Sequence, residues 1–341
     1  MKFIVGNYTR MGGPGVAFCE LNADGLRLLD STPNLQNPTY MILSRDQKTL
    51  YSTANDETGG SVAAFDLSEG RLNLIGRQST FGRSACHLVL SPDERFLYVA
   101  NYFTGNLAVF PIDEAKISPC IQLIQHEGSG PVADRQEQAH AHFVAIDPAD
   151  DQLLYAVDLG MDAVMIYRRD AETGLLTAHD RIDIEAGLGP RHLAFLGENL
   201  MYVAHELGNA VSAFKRADAG WQFIQTLSTL PEGWSGESYA AAIRIHNRRL
   251  YVSNRGHDSL AVYDIAEDGS LSPLGVFPTP GQFPRDFFIL PDGRILTSHQ
   301  DSGDVRLLQF EHCETEPGMK LTQIGESLSL PGAICVCPIL E

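Results

Sequence analysis

The chain has 341 residues, of which 44% are hydrophobic and 20% charged, with 31 glycines and 18 prolines; this is globular composition biased toward turns, and it excludes disorder and collagen. Its 25 Lys and Arg against 43 Asp and Glu leave a formal net charge of −18, which argues against nucleic acid and anionic membrane surfaces as partners. No apolar run approaches the roughly 18 residues of a membrane helix, and the run Phe3-Ile4-Val5 is too short for a secretory signal, so a soluble, cytoplasmic protein is expected.

In chain order, one pattern recurs: an apolar run, a turn, then Leu-Tyr-Val-Ala-Asn or a variant. A degenerate first copy is Phe3-Ile4-Val5-Gly6-Asn7, followed by Leu50-Tyr51-Ser52-Thr53-Ala54-Asn55, Leu97-Tyr98-Val99-Ala100-Asn101 and Leu154-Tyr155-Ala156-Val157-Asp158. Met201-Tyr202-Val203-Ala204-His205-Glu206, Leu250-Tyr251-Val252-Ser253-Asn254-Arg255 and a degenerate Ile295-Leu296-Thr297-Ser298-His299 complete the series. Seven copies give about 49 residues per repeat, the size of a propeller blade. Each motif is followed by an alternating strand ending in an aromatic, such as Asn106-Leu107-Ala108-Val109-Phe110, then an acidic turn with Gly and a further strand. With the strand ahead of each motif, such as His87-Leu88-Val89-Leu90, every repeat holds four strands, and helical periodicity is nearly absent.

The first repeat lacks its leading strand, while Gly332-Ala333-Ile334-Cys335-Val336-Cys337 at the other end of the chain resembles such a strand and has no successor. The fold expected is therefore all-β: one domain over 1–341, a seven-bladed β-propeller with four antiparallel strands per blade. Pairing the C-terminal strand with the N-terminal strands closes the ring and removes two sheet edges.

In such a ring the first strand of each blade runs along the central channel and the second returns beside it, so first-strand starts and second-strand ends share one face. His87, His142, Arg191 with His192, and Pro284-Arg285 fall at first-strand starts; Asn55, Asn101, Asp158, His205-Glu206, Asn254-Arg255 and His299 fall at second-strand ends. Asn at a strand end bonds nearby backbone, which favours a structural role for Asn55 and Asn101. Arginines at the mouth of an acidic protein need either a fixed carboxylate such as Glu206 or Asp158 or a bound anion, so a small anionic substrate is expected at Arg191, Arg255 and Arg285. Turns such as Ser91-Pro92-Asp93 and Asp147-Pro148 on the opposite face are explained by turn geometry.

Nucleophile-elbow, phosphate-loop and zinc-protease motifs are missing, which leaves general acid and base chemistry by His and Glu with Arg stabilising charge. His140 and His142 share a strand face, yet no third ligand of matching register is evident, so no metal and no cofactor are expected. The six cysteines (Cys19, Cys86, Cys120, Cys313, Cys335, Cys337) show no zinc spacing and are read as reduced core residues; Cys335 and Cys337, on one side of a strand, are the alternative redox pair.

Gly189-Pro190-Arg191-His192, Tyr202-Val203-Ala204-His205-Glu206-Leu207, Ser253-Asn254-Arg255-Gly256 and Pro284-Arg285-Asp286-Phe287 resemble the lactonase-type seven-bladed propeller family. Gly6-Asn7-Tyr8-Thr9 and Asn37-Pro38-Thr39-Tyr40 extend that resemblance over essentially the whole chain. The family includes a bacterial 6-phosphogluconolactonase and the fungal carboxy-muconate lactonizing enzyme. The resemblance implies a metal-independent hydrolase of a sugar-phosphate lactone in the pentose phosphate pathway. His142, Glu206, Arg191 and Arg255 would be catalytic, and His192, Arg285, Asp158, Asn254 and His87 would bind substrate. A muconate-type cycloisomerase, or a non-catalytic propeller presenting a face to a protein partner, is the alternative. A monomer or weak homo-oligomer is expected.

Overall fold

The computed structural model describes residues 1–218, 220–312 and 318–340, which form a seven-bladed propeller of antiparallel sheets. Ring closure follows the sequence expectation: the C-terminal strand Ala333–Ile339 pairs with Lys2–Asn7, in register Lys2↔Ile339 to Val5↔Val336, and supplies the innermost strand of blade 1. Blades 2 to 7 follow in chain order, with innermost strands Met41–Leu43, Ala85–Leu90, Ala141–Ile146, Pro190–Leu196, Tyr239–His246 and Pro284–Ile289. The outer edge of blade 3 is split into Lys116–Ile117 and Gln122–Gln125, because Pro119 in the intervening Ser118-Pro119-Cys120 offers no N–H to a ladder. The sixth repeat lacks a Pro-Asp-Gly turn after its first strand; Asn247 (φ 47°) and Arg248 (φ 56°) make the hairpin there instead.

The core lies between blades. One cluster joins Tyr202, Val211 and Ala213 of blade 5 to Ile243, Val252 and Tyr263 of blade 6, and similar clusters join other neighbours around the ring. The tyrosine of the Leu-Tyr motif staples one blade to the next: the Tyr98 hydroxyl donates to Gly174 O (3.1 Å) in blade 4 and that of Tyr202 to Gly269 O (3.0 Å) in blade 6. Each ring is fully buried, worth roughly 2 kcal/mol by area, and its hydroxyl is satisfied at the far side of the interface.

The feature that builds the mouth is a β-bulge at the start of the inner strands. In blade 3 the register runs Ala85↔Asn101 and then His87↔Ala100; in blade 4, Ala141↔Asp158 and then Phe143↔Val157; in blade 5, Pro190↔His205 and then His192↔Ala204; in blade 7, Pro284↔His299 and then Asp286↔Ser298. The residues left over are Cys86, His142, Arg191 and Arg285, and the same shift in blade 1 leaves Ile334. A bulged residue is released from the pleat and re-aimed, and these five residues all line the channel or the small pocket beneath its mouth.

Cys19, Cys86, Cys120, Cys335 and Cys337 are free thiols, and burial pushes the thiols of Cys86 and Cys337 up to about 12. Cys313 lies outside the described residues. Among the described residues no helix is long and apolar enough to cross a membrane.

Candidate active site

The bulges open onto a cavity of about 820 Å³ on the face where first strands start. At its base Glu206, which follows the second strand of blade 5, is 5% exposed and holds three guanidinium groups. Arg191 Nε donates to Oε2 at 2.9 Å, Arg255 Nη2 lies 2.6 Å from the same oxygen, and Arg135 Nη2 bonds Oε1. Three cations on one carboxylate leave a local excess of positive charge at this end of the cavity. Burial alone would raise the Glu206 carboxyl, but Arg255, Arg191 and the other neighbours outweigh it and hold the group well below the usual carboxylate range. Glu206 is therefore a permanent anion that anchors arginines rather than a proton carrier.

Burial and the nearby charges of Arg255 and Arg285 push Arg191 down to about 9, so it stays protonated at neutral pH. Its Nη1 donates to His192 Nε2 at 3.1 Å, and it borders the small pocket under the cavity rather than the cavity itself. Arg255 spends Nε and Nη2 on Tyr239 O and Ala240 O as well as on Glu206. Both it and Arg135 line the cavity; Arg135 Nη2 also donates to the Tyr102 hydroxyl at 3.4 Å, and the other N–H groups of the two have no bond among the described residues.

His142, the bulged residue of blade 4, stands beside this cluster. Burial, and then Arg191, keep its imidazole neutral far below the ordinary pKa of 6.5, and its buried Nδ1 has no hydrogen-bond partner. Tyr102 meets it edge-on at 5.5 Å while stacking on His140 at 4.5 Å. His140 is held through Nδ1 to Tyr102 O (2.9 Å) and through Nε2 to Glu137 (3.3 Å), so the two histidines of the His-Ala-His run serve different neighbours. No three His, Cys, Asp or Glu side chains among the described residues are grouped as metal ligands.

His142, Glu206, Arg255 and Arg285 line the cavity, and Arg191 lies directly beneath, walling the small pocket under it. His192 also faces only that small pocket. Three residues expected at substrate are turned elsewhere. His87 is sandwiched between Tyr40 and Phe143, both at 3.9 Å, and lines neither the cavity nor the small pocket beneath it. Asp158 is fully buried, accepting from the amides of His140, Gly160 and Met161 at 2.7–3.1 Å and bonding His126 Nδ1 at 2.7 Å. Asn254 donates to Thr229 O and Ser259 Oγ. The reason is shared: Asp158 and Asn254 sit in regular pleat at second-strand ends, pointing between blades, and His87 follows a bulge rather than forming one.

Sequence reasoning did not single out Arg135 or Tyr102. Arg135 comes from the segment 126–140, the longest connection between blades, outside any repeat register; that unusual length was the available signal.

The chain matches the family model described as "Lactonase, 7-bladed beta-propeller" over residues 2–338. It is 33% identical to the 6-phosphogluconolactonase of Bacillus subtilis over 344 aligned residues, covering 97% of this chain and 96% of that one. Among solved structures, the periplasmic gluconolactonase of Pseudomonas aeruginosa superposes with a TM-score of 0.88 at 28% identity, over 98% of both chains. A protein from Lactobacillus plantarum does so with a TM-score of 0.89, also at 28% identity and 98% of both chains.

Proposed function

We propose a substrate for this chain, which belongs to the seven-bladed β-propeller lactonase family and is a lactonase: 6-phosphogluconolactone, opened by water without a metal. The observation that carries the reading is the neutral His142 beside the Glu206 carboxylate with its three arginines, at the base of a cavity large enough for a sugar phosphate. The name of the Bacillus subtilis relative supports the phosphorylated lactone as the starting choice.

In this reading His142 takes a proton from water as the oxygen adds to the lactone carbonyl carbon. The carbonyl oxygen becomes an oxyanion, held by the unspent N–H groups of Arg255 and Arg135, which Glu206 fixes in place before the reaction begins. The tetrahedral intermediate then collapses, the ring carbon–oxygen bond breaks, and the departing alkoxide recovers the proton from His142. The product is the open-chain acid, which ionises at neutral pH. Arg191 works through its neighbours, orienting Glu206 and His192.

The test is the rate of acid release from freshly prepared 6-phosphogluconolactone above its spontaneous hydrolysis. The wild type should accelerate it, and His142→Ala should lower kcat by about 10²–10⁴ with the fold retained. An inert wild type would overturn the substrate; a fully active His142→Ala would overturn the base.

A further inference from the structure

We infer that the quadrant of the mouth formed by blades 7 and 1 is a phosphate subsite, in which Arg10 and Arg285 grip the phosphate of a phosphorylated lactone across the ring of Tyr8. The inference rests on the lactonase reading above and adds which residues set the preference for a phosphorylated substrate.

Charge is distributed unevenly around the cavity. Apart from Glu206, its acidic side chains, Asp56, Glu57, Asp134 and Glu137, come from blade 2 and the connection into blade 4, whereas blades 7 and 1 contribute only Arg285, Arg10 and Tyr8. The arginines at the Glu206 end are partly neutralised. Arg10 and Arg285 have no carboxylate partner among the described residues, and the one side-chain bond of Arg285 is to Gln300 Oε1 at 3.4 Å. Two guanidinium groups nevertheless converge on one ring, with the Cζ of Arg10 4.0 Å and that of Arg285 5.7 Å from the centroid of Tyr8. Like charges gathered without a counter-ion in a protein of net charge −18 are completed by a dianion, and the planar forks of arginine match phosphate oxygens.

The backbone under Arg10 is built to hold it there. Arg10 lies in the single turn Thr9–Met11, which Asn37 clamps: Asn37 Oδ1 accepts from the Arg10 amide (3.3 Å) and the Thr9 hydroxyl (3.4 Å), and its Nδ2 donates to Asn55 O (2.9 Å). Asn37 does this at φ 45°, in the left-handed region that few side chains adopt. The Tyr8 amide is fixed by Gly332 O at 2.8 Å.

The order of residues also fits the shape of the ligand. Arg285 borders both the main cavity and the pocket beneath it, where its charge reaches Arg191 and His142, whereas Arg10 is exposed at the rim. In a 6-phosphorylated δ-lactone the phosphate arm leaves from C5, the carbon joined through the ring oxygen to the carbonyl carbon, so the phosphate stands only a few bonds to one side of the reacting group. A carbonyl at His142 therefore places that arm beside Arg285, which borders both pockets, with Arg10 at the rim next to it.

The test compares hydrolysis of 6-phosphogluconolactone with that of glucono-δ-lactone. The control is Arg83→Gln, since Arg83 is a rim arginine on blade 3 that belongs to neither cluster. Wild type should prefer the phosphorylated lactone; Arg10→Gln should cut that preference about tenfold and Arg10→Gln/Arg285→Gln about a hundredfold, through KM, as expected for lost charged hydrogen bonds. Glucose 6-phosphate should raise the Tm of wild type and Arg83→Gln but not of the double variant. Equal hydrolysis of both lactones by wild type would overturn the subsite while leaving a lactonase, and an equal loss in Arg83→Gln would do the same by reducing the effect to a diffuse field. Stabilisation by glucose 6-phosphate that depends on Arg10, with neither lactone hydrolysed, would support the subsite and overturn the substrate.

Discussion

Two rings of polar residues meet at one face of this propeller, and they behave in opposite ways. The ends of the second strands carry Asn7, Asn101, Asp158, His205, Asn254 and His299, all fully buried and bonded to loops and side chains around them, as Asn101 is to Thr80 (2.7 Å) and Asn106 (2.9 Å). The starts of the first strands carry Cys86, His142, Arg191 and Arg285, with their side chains in the channel. The difference is the bulge. A residue in regular pleat points its side chain into the blade interface and bonds there, whereas a residue expelled from the ladder points into the channel, where His142 Nδ1 has no partner and Arg285 bonds only Gln300 among the described side chains. Position near the mouth is thus a weaker guide to function than register.

The comparison is open to attack from both sides. Glu206→Gln strikes the residue just beyond the second-strand ring, which the arginines recruit into the site. Removing its charge leaves three guanidinium groups facing one another, so kcat/KM should fall at least a hundredfold and unfolding free energy by about 3 kcal/mol, read by lactonase assay and denaturant titration on one preparation. Asp158→Ala, in the structural ring, strands three amides and His126; it should cost about 3 kcal/mol of stability while the folded fraction keeps its kcat. A variant that stayed stable but lost turnover would break the distinction between the rings.

Smaller effects sharpen it. Burial holds the His87, His142 and His192 imidazoles well below 6.5, with arginines adding to it, and lowers that of His205 to about 3. Below pH 6.5 the unfolded chain takes up these protons and the folded one does not. Stability is therefore full above that pH and declines as pH falls, each histidine contributing about 1.4 kcal/mol per pH unit until its folded pKa is reached. His87→Phe, which keeps the stack between Tyr40 and Phe143, should flatten the slope by one proton in denaturation series at pH 7 and 5. Asn101→Ala should cost about 1 kcal/mol with activity intact.

The seven repeats, the four-stranded blades and the closing strand were legible in the sequence because each repeats a local pattern, and repetition makes a weak signal visible. The Pro-Arg-His and Asn-Arg-Gly runs placed Arg191 and Arg255 on the correct face, and His142 was found by its place at a first-strand start. Asp158, Asn254 and His87 were expected at substrate for the same positional reason and lie elsewhere. Arg135 left no trace in the repeat because it does not belong to one.

Strand positions and blade count follow from local alternation of apolar and polar residues and from turn chemistry, both of which act over a few residues and are written in the chain itself; closure was inferred from the strand pattern of the first and last repeats, and the pairing of Lys2–Asn7 with Ala333–Ile339 realises it. Which side chain at a strand start faces the channel depends on a one-residue slip against a partner strand. Which arginines share Glu206 depends on blades 4, 5 and 6 being brought together by the closed ring. Those choices are set by pairing and packing between segments distant in sequence, so only the tertiary structure decided them.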